Sequence, residues 1–183
     1  MKKINLNIGA GTDIRDKFIN HDVVKLPGID VVHDLNQYPW PWKDNSTDNI
    51  EILDVLEHLD NFVQAMEEIH RILKPGGIVL IRVPYWNHSC AYIDPTHKRG
   101  FHEQTFDFFD IKSKIYIQRG YYTKAKFLSI ATTLILTPGY PYMKIPFVNS
   151  VSVRRKSIRR VVGWIGNHVG NIISDVQVEM QKS

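Results

Sequence analysis

The chain has 183 residues, of which 43% are hydrophobic and 23% are charged, the proportions of an ordinary globular protein. This length predicts a single domain, residues 1–183, and the single cysteine, Cys90, excludes an internal disulfide and a cysteine-based zinc site. No run of about 18 apolar residues occurs, so we expect no transmembrane helix.

Charge is divided unevenly along the chain. Residues 1–111 contain 11 Lys and Arg against 17 Asp and Glu, whereas residues 112–183 contain 12 against 2. The asymmetry favours an anionic partner for the C-terminal part, such as a phosphorylated substrate, a membrane surface or a nucleic acid, although solvated surface charge explains it equally well. Because no signal-peptide pattern precedes the first apolar run, we expect a cytoplasmic protein.

Five short apolar runs predict strands of a buried parallel sheet. They are Ile4–Ile8, Phe18–Val24, Ile29–Val32, Asn49–Val55 and Ile78–Val83. Near-continuous apolar strands separated by helical segments are typical of a doubly wound, Rossmann-like α/β sheet that is covered on both faces, which makes a three-layer α/β/α arrangement.

One crossover helix is well marked and another is short. Apolar residues recur at three- and four-residue steps from Phe62 to Leu73, with Asp60 or Asn61 as the cap and Lys74-Pro75-Gly76-Gly77 as the stop. The segment Thr12–Phe18 allows at most about two helical turns, so we expect an abbreviated first crossover.

The pattern changes after Pro84. Residues 85–110 form a candidate acceptor-side loop with a short helix near its end, and Tyr121–Leu136 predicts a long strand. Three prolines mark a basic insertion at about 138–171. Ser174–Gln181 alternates polar and apolar residues, which predicts a last strand near an antiparallel edge of the sheet.

The first strand ends in a glycine turn, Gly9-Ala10-Gly11. Glycines at this place let a ligand approach the backbone at the carboxyl end of the sheet, where α/β proteins bind nucleotides. A dinucleotide fingerprint requires a third glycine at position 14, where the chain has Ile14, so the turn argues against a nicotinamide enzyme.

Acidic residues end the next three strands. Asp22 can accept hydrogen bonds from both hydroxyls of a ribose, and Asp34 with Leu35 can receive an adenine. Asp54 ends the fourth strand. Aspartates are common at strand ends for local reasons, but three acids in register after a glycine turn favour one binding site.

Three ordered segments together resemble class I S-adenosylmethionine-dependent methyltransferases, in particular the methyltransferase type 11 group. They are Leu6-Asn7-Ile8-Gly9-Ala10-Gly11, Asp54-Val55-Leu56-Glu57-His58-Leu59 and Arg71-Ile72-Leu73-Lys74-Pro75-Gly76-Gly77. The resemblance covers residues 4 to about 84, and its most specific part is the Leu-Lys-Pro-Gly-Gly turn.

The resemblance implies the cofactor S-adenosyl-L-methionine and a role for each motif residue. Gly9, Ala10 and Gly11 would face its methionine part, and Asp22 its ribose. Its adenine would lie at Asp34 and Leu35, and residues Asp54, Val55 and Leu56 would wall the sulfonium end. The resemblance also implies a seven-stranded, mostly parallel sheet with an antiparallel C-terminal strand.

Methyl transfer needs a base only when the acceptor must lose a proton. Candidate bases are His58, His88, His97 and His102, of which we single out His97 and His58. The segment Tyr92–Phe101 resembles a loop of small methyltransferases associated with surface-polysaccharide and glycolipid clusters. In it, Lys98 and Arg99 can hold a phosphate or carboxylate, although an Asp-Pro turn with surface basic residues explains the segment equally well.

Two further features bear on the acceptor. Tyr85 and Trp86, with Trp40 and Trp42, are candidates for the walls of an acceptor pocket, although core packing is the commoner role of aromatic residues. The spacing of His88, His97 and His102 matches no standard zinc pattern, so we expect no metal.

Residues 152–169 alternate basic and apolar side chains as a basic amphipathic helix does. Such a helix can dock on an anionic membrane, at the inner face for a cytoplasmic protein, or can pack on its own domain. The sequence therefore predicts methyl transfer to an oxygen or nitrogen of a small or glycan acceptor, which a lipid can carry. The alternatives are a nucleic-acid methyltransferase, disfavoured because no Asn-Pro-Pro-Tyr-type motif follows the fourth strand, and a degenerate cofactor-binding module.

Overall fold

A computed structural model describes residues 3–137 and 150–183. Eight strands form one sheet in the order β3-β2-β1-β4-β5-β8-β6-β7. The strands are β1 (Asn5–Ile8), β2 (Ile19–Asp22), β3 (Val31–Val32), β4 (Thr47–Leu53), β5 (Leu73–Pro84), β6 (Phe127–Leu136), β7 (Val151–Val153) and β8 (Ile173–Lys182).

The first five strands are parallel, as the apolar runs predict. β1 lies between β2 and β4, with Leu6 beside Ile19 on one side and Ile50 on the other. Leu6, Ile50 and the facing Val79 of β5 are at most 1% exposed, so these apolar positions form the core of the sheet. Because Ile8 pairs with Ile52, the residues that follow β1 and β4 emerge at the same edge.

The C-terminal strand is antiparallel, but it does not lie near an edge. β8 pairs antiparallel with β5 on one side and with β6 on the other. The prediction from alternation was wrong about position, because the polar side chains of β8 are half-buried between two strands rather than exposed beside one. The structure also adds an eighth strand, β7, to the seven expected, and β7 pairs antiparallel with β6.

The helix α1 (Phe62–Ile72) connects β4 to β5 and has the predicted cap. Asn61, rather than Asp60, begins it, because the Asn61 side chain accepts a hydrogen bond from the Gln64 N–H at 3.0 Å. Its buried face contains the five residues Phe62, Ala65, Met66, Ile69 and Ile72. The chain passes from α1 directly into β5.

Loops rather than helices connect the four strands from β1 to β4. The connection from β3 to β4 buries Trp40, which is 2% exposed and whose Nε1–H donates to the Leu35 carbonyl at 3.0 Å. Arg71 of α1 donates to the Trp40 carbonyl at 3.0 Å, and Glu68 accepts from the Trp40 N–H at 2.7 Å. This aromatic segment therefore packs on α1, and Trp40 is a core residue rather than an exposed wall.

The remaining helices follow β5. They are α2 (Cys90–Ile93), α3 (Lys114–Arg119) and α4 (Lys156–His168), with 3₁₀ helices at Glu103–Phe108 and Gly120–Tyr122; a further 3₁₀ helix, Leu56–His58, lies between β4 and α1. Phe62 of α1 packs edge-to-face on Phe101, Phe106 and Phe109, with ring centroids 5.0 to 5.9 Å apart, which fixes the acceptor-side segment on the core. Part of the predicted basic insertion, residues 138–149, lies outside the described residues. Within the described ranges, no helix is both long and apolar enough to cross a membrane.

Candidate active site

A cleft of about 310 Å³ opens where β1 to β4 end. Its lining consists of residues at or just after these strand ends, namely Gly9, His21, Asp22, Val23, His33, Asp34, Leu35, Asn36, Asp54, Val55, His58 and Leu59. The volume is at the lower end of the usual range for small-molecule sites. The position is the one that an α/β sheet favours for ligands, because the carboxyl ends of parallel strands meet there.

Six of the predicted cofactor residues line this cleft, and three do not. The six are Gly9, Asp22, Asp34, Leu35, Asp54 and Val55. Of the others, Leu56 is fully buried in the core and Ala10 is 5% exposed, while Gly11 lies in the turn behind Gly9. The part of the cofactor assigned to each residue stays a prediction.

The glycine turn has the backbone that only glycine adopts easily. Gly9 has φ of +71° and Gly11 has φ of +51°, both in the left-handed region. A Cβ built on Gly9 would overlap Cγ2 of Val55, so a side chain there would push Val55 from its place in the cleft wall. The turn therefore packs directly on Val55, and a larger residue at position 9 would displace this part of the cleft wall.

Asp22 fastens the glycine turn to the end of β2. Its Oδ2 accepts a hydrogen bond from the Gly11 N–H at 2.8 Å, and its Oδ1 accepts one from the Val24 N–H at 3.1 Å. Each carboxylate oxygen has a second lone pair for a ligand. The carboxylate thus holds the turn in shape and still presents acceptor capacity to the cleft.

Asp54 occupies a strained position at the end of β4. Its φ is +57°, and its carboxylate receives two hydrogen bonds from the Arg82 guanidinium, one of them from Nε at 3.0 Å. The hydrogen bonds to Asp54 raise the pKa of Arg82 above its usual value. A strained residue in a cleft is often part of a functional site.

The cleft is acidic. Asp22, Asp34 and Asp54 line it, and its described lining contains no lysine or arginine. Such a surface disfavours the phosphates of a dinucleotide and favours a cation or a ligand rich in hydrogen-bond donors. S-adenosyl-L-methionine has a sulfonium, an ammonium and two ribose hydroxyls, so the residues present fit this cofactor.

The two predicted catalytic histidines come together at one end of the cleft. The rings of His58 and His97 meet edge-to-face with centroids 4.7 Å apart, and His58 lines the cleft. Thr96 Oγ1 lies 2.9 Å from His58 Nδ1 and donates to Asp94 Oδ1 at 2.6 Å. Burial, and then the nearby His97, lower the pKa of His58, so its ring is neutral at pH 7.

Glu57 joins this pair and was missed by the sequence analysis. Its side chain is 1% exposed, and its Oε1 lies 3.9 Å from His97 Nε2. Burial raises the pKa of Glu57 to about 8. The available signal was an acidic residue beside His58 in an otherwise apolar stretch, but only tertiary structure brings His97 to it.

Lys98 and Arg99, the predicted anion-binding pair, are engaged with the protein. The Lys98 ammonium forms an ion pair with Asp60. Arg99 Nη2 donates to the carbonyls of Leu59 and Asp60 at 3.0 and 2.9 Å. These bonds fix the loop after α2 against the residues that precede α1, and binding of an acceptor's anionic group by this pair stays a prediction.

The aromatic candidates and the other two histidines differ in how far they are exposed. Tyr85 is fully buried and its hydroxyl donates to Asn167 at 3.0 Å, whereas Trp86 is 38% exposed. Of this pair, only Trp86 is therefore open to an acceptor in the structure. His102 Nε2 also contacts Asn167, at 3.2 Å, and His88 is 1% exposed.

Comparison with known proteins also finds similarity to methyltransferases. Residues 6–81 match the family model described as a methyltransferase domain. Over 75 residues, 40% of this chain, the sequence is 33% identical to a probable S-adenosylmethionine-dependent methyltransferase of Mycolicibacterium smegmatis. The chain spans 28% of the length of that relative.

Solved structures resemble the fold over nearly the whole chain. A SAM-dependent methyltransferase from Archaeoglobus fulgidus superposes with a TM-score of 0.64 at 20% identity, covering 98% of this chain and 86% of that one. A SAM-dependent methyltransferase from Thermotoga maritima gives a TM-score of 0.63 at 15% identity, covering 100% and 84%. At these identities the likeness concerns the fold.

Proposed function

We propose that this chain is a class I S-adenosylmethionine-dependent methyltransferase that transfers the methyl group of S-adenosyl-L-methionine to an oxygen or nitrogen of a small or carbohydrate-like acceptor. The match of residues 6–81 to a methyltransferase domain supports this cofactor. The observation that carries the proposal is the acidic cleft in which the glycine turn after β1 meets carboxylates at or just after the ends of β2, β3 and β4.

In this proposal each strand end binds a different part of the cofactor. Asp22 accepts hydrogen bonds from the ribose, since its carboxylate faces the cleft while it also holds Gly11. Asp34 and Leu35 receive the adenine. Gly9 and Val55 wall the methionine and sulfonium end, where Gly9 offers backbone without a side chain.

The acceptor enters at His58 and His97. Bound S-adenosyl-L-methionine supplies a methyl group on a sulfonium, and the chain's part is to place the acceptor atom in line with it and to exclude water. The neutral ring of His58 lies on the cleft, so it can accept a hydrogen bond from an acceptor hydroxyl or amine. Trp86 is the exposed aromatic side chain of the neighbouring loop and can cover a sugar ring.

Calorimetry with S-adenosylhomocysteine tests cofactor binding, and Asp22→Asn tests the assigned role of the ribose carboxylate. We expect binding by the wild type and affinity about 10- to 100-fold lower for Asp22→Asn, because a charged hydrogen bond contributes about 1.5–3 kcal/mol. Asp16→Asn is the matched control, since Asp16 is exposed and lies outside the cleft lining. No heat of binding at high micromolar ligand would contradict the cofactor assignment, and equal affinity of the two variants would remove Asp22 from it.

The acceptor class needs a separate experiment. Radiolabelled S-adenosyl-L-methionine is incubated with monosaccharides, nucleotide sugars and polyprenyl-linked glycans, and a matched set of amines and nucleic acids. We expect label in a carbohydrate-like acceptor. Label in the nucleic-acid set alone would favour the rival function.

A second part of the proposal concerns α4, which we place on an anionic membrane surface. Its glycines face the protein, since Gly163 lies against Glu103 and Leu134, and Gly166 against Ile173. Its bulky apolar side chains therefore point outward, and Trp164 is 64% exposed. Basic residues lie among and just before them, which complements anionic headgroups. The exposed apolar side chains are Ile158, Val161, Trp164, Ile165 and Val169.

Sedimentation with lipid vesicles tests the docking of α4. We expect binding to vesicles that contain phosphatidylglycerol, weaker binding to phosphatidylcholine alone, and a loss with Trp164→Ser. Tyr121→Ser is the matched control, because Tyr121 is 77% exposed on a different element. Equal binding by Trp164→Ser and Tyr121→Ser would exclude α4 as the docking surface.

A further inference from the structure

Three side chains at the acceptor end of the cleft have the identity and spacing of metal ligands. Glu57, His58 and His97 each present one ligand atom, and these atoms all lie within 4.8 Å of one another. We infer that they bind a divalent transition-metal ion, which in turn holds an oxygen of the methyl acceptor. Binding of the ion stands independently, whereas its use rests on the proposed methyl transfer.

Two segments about forty residues apart meet at this site. Glu57 and His58 end the 3₁₀ helix after β4, and the Lys98 N–H donates to the Glu57 carbonyl at 2.8 Å. That bond places His97 Nε2 3.9 Å from Glu57 Oε1. An ion about 2.1 Å from each donor holds the donors about 3.0–3.4 Å apart, so small side-chain rotations complete the coordination.

The hydrogen bonds around His58 leave a lone pair for the ion. Thr96 Oγ1 gives its single proton to Asp94, so its 2.9 Å contact with His58 Nδ1 requires the proton of Nδ1. The Nε2 atom of His58 is then unprotonated. A ligating histidine usually donates its other N–H to a fixed acceptor in this way, which orients the ring and selects the tautomer.

The burial of Glu57 supports the metal site independently of the spacing of the three side chains. Its side chain is 1% exposed, and no group in the described part of the chain makes a hydrogen bond to Oε2. A buried polar oxygen without a hydrogen-bond partner costs free energy that a bond to a metal ion would recover. The basic side chains of this neighbourhood are already paired, Arg82 with Asp54 and Lys98 with Asp60. A metal ion between Glu57 and the histidines would give this oxygen the partner that the described residues do not.

The donor set and its position indicate the ion and the acceptor. Two imidazoles and one carboxylate suit Zn²⁺, Fe²⁺ or Mn²⁺ and leave coordination positions open. Because His58 lines the cleft, those positions face the space that the acceptor enters. A hydroxyl bound there releases its proton to water more readily, and its oxygen then bonds to the methyl carbon as the carbon–sulfur bond breaks, leaving S-adenosylhomocysteine. The site thus selects a hydroxyl acceptor, and the two histidines act as ligands rather than bases.

Metal titration of the full chain tests the inference with the metal alone as the probe. The protein is treated with EDTA, exchanged into chelator-free buffer, and titrated with Zn²⁺ and Mn²⁺ by calorimetry and with Co²⁺ by visible absorption. We expect one ion per chain and Co²⁺ absorption bands that saturate at one equivalent. Glu57→Gln and His97→Asn should each weaken binding at least about 10-fold. His168→Asn removes an exposed histidine of α4 and should leave binding unchanged.

S-adenosylhomocysteine binding, measured on the same samples, separates the inference from the proposed function. Wild-type protein that binds this ligand but no ion overturns the metal site and leaves the proposed function standing. Protein that binds the ion but not S-adenosylhomocysteine overturns the proposed function and leaves the metal site standing. Ion binding that is equally tight in Glu57→Gln, His97→Asn and His168→Asn would place the ion elsewhere and refute the site. The Co²⁺ spectrum of the wild type needs no variant, so an absence of bands refutes the site even if a variant fails to fold.

Discussion

Replacing Gly9 by alanine tests whether the glycine turn lies against the cleft wall. The φ of +71° costs an alanine about 1–2 kcal/mol, and the overlap of its Cβ with Val55 Cγ2 adds about 1–3 kcal/mol for overpacking. We therefore expect Gly9→Ala to lower the free energy of unfolding by about 3 kcal/mol. The displaced Val55 side chain would also narrow the cleft, so affinity for S-adenosylhomocysteine should fall.

Gly11→Ala is the matched control, because Gly11 has φ of +51° but no atom within 4 Å of a built Cβ. It should cost about 1–2 kcal/mol, the backbone contribution alone. In urea unfolding followed by circular dichroism, the double variant Gly9→Ala/Val55→Ala should recover about 1–3 kcal/mol relative to the sum of the single changes. Equal costs for Gly9→Ala and Gly11→Ala, or strict additivity in the double variant, would refute the contact.

Three further changes test other parts of the structure. Asn61→Ala removes the cap of α1 and should cost about 1 kcal/mol in urea unfolding, whereas Asn61→Ser should keep most of it; equal losses would mean that the cap is not formed. Burial lowers the pKa of His70 to about 4, so its contribution to stability is complete above about pH 6.5 and is lost as the pH falls towards 4. His70→Gln should therefore reduce the loss of unfolding free energy between pH 7 and pH 5 by about 1–2 kcal/mol. An unchanged dependence of stability on pH would contradict the burial of His70. Thr96→Val removes the acceptor that orients His58 and should weaken metal binding about 10- to 100-fold with little effect on S-adenosylhomocysteine affinity; unchanged metal affinity would show that the orientation of His58 does not matter.

The carboxyl-end cleft could be predicted from local sequence because its residues obey one geometric rule. Asp22 is the last residue of β2, whereas Asp34 and Asp54 follow β3 and β4 within two residues, and parallel strands bring such positions to one edge. The same local reasoning predicted α1, since its apolar spacing and capping residue lie within one continuous segment. Leu56 departs from the pattern because it is the first residue of a 3₁₀ helix, whose side chain faces the core.

Contacts between distant segments explain what the sequence could not supply. Glu57 and His97 meet through tertiary contacts, among them the bond from the Lys98 N–H to the Glu57 carbonyl, and histidine spacing within one loop does not reveal a ligand from another element. β7 lies at the start of the segment with helical spacing, and its pairing partner is the distant β6. The place of β8 inside the sheet likewise depends on β6, which alternation alone does not specify.

Assigned backbone NMR of the full chain, titrated with S-adenosylhomocysteine, tests the central claim most directly. We expect the amide shifts of Gly9, Gly11, Val23, Asn36 and Val55 to move together to saturation, because these residues line or adjoin the cleft. Amides of β6 and α4 should stay in place. Saturating shifts confined to another surface, or no shifts at millimolar ligand, would contradict a cofactor site at the ends of β1 to β4.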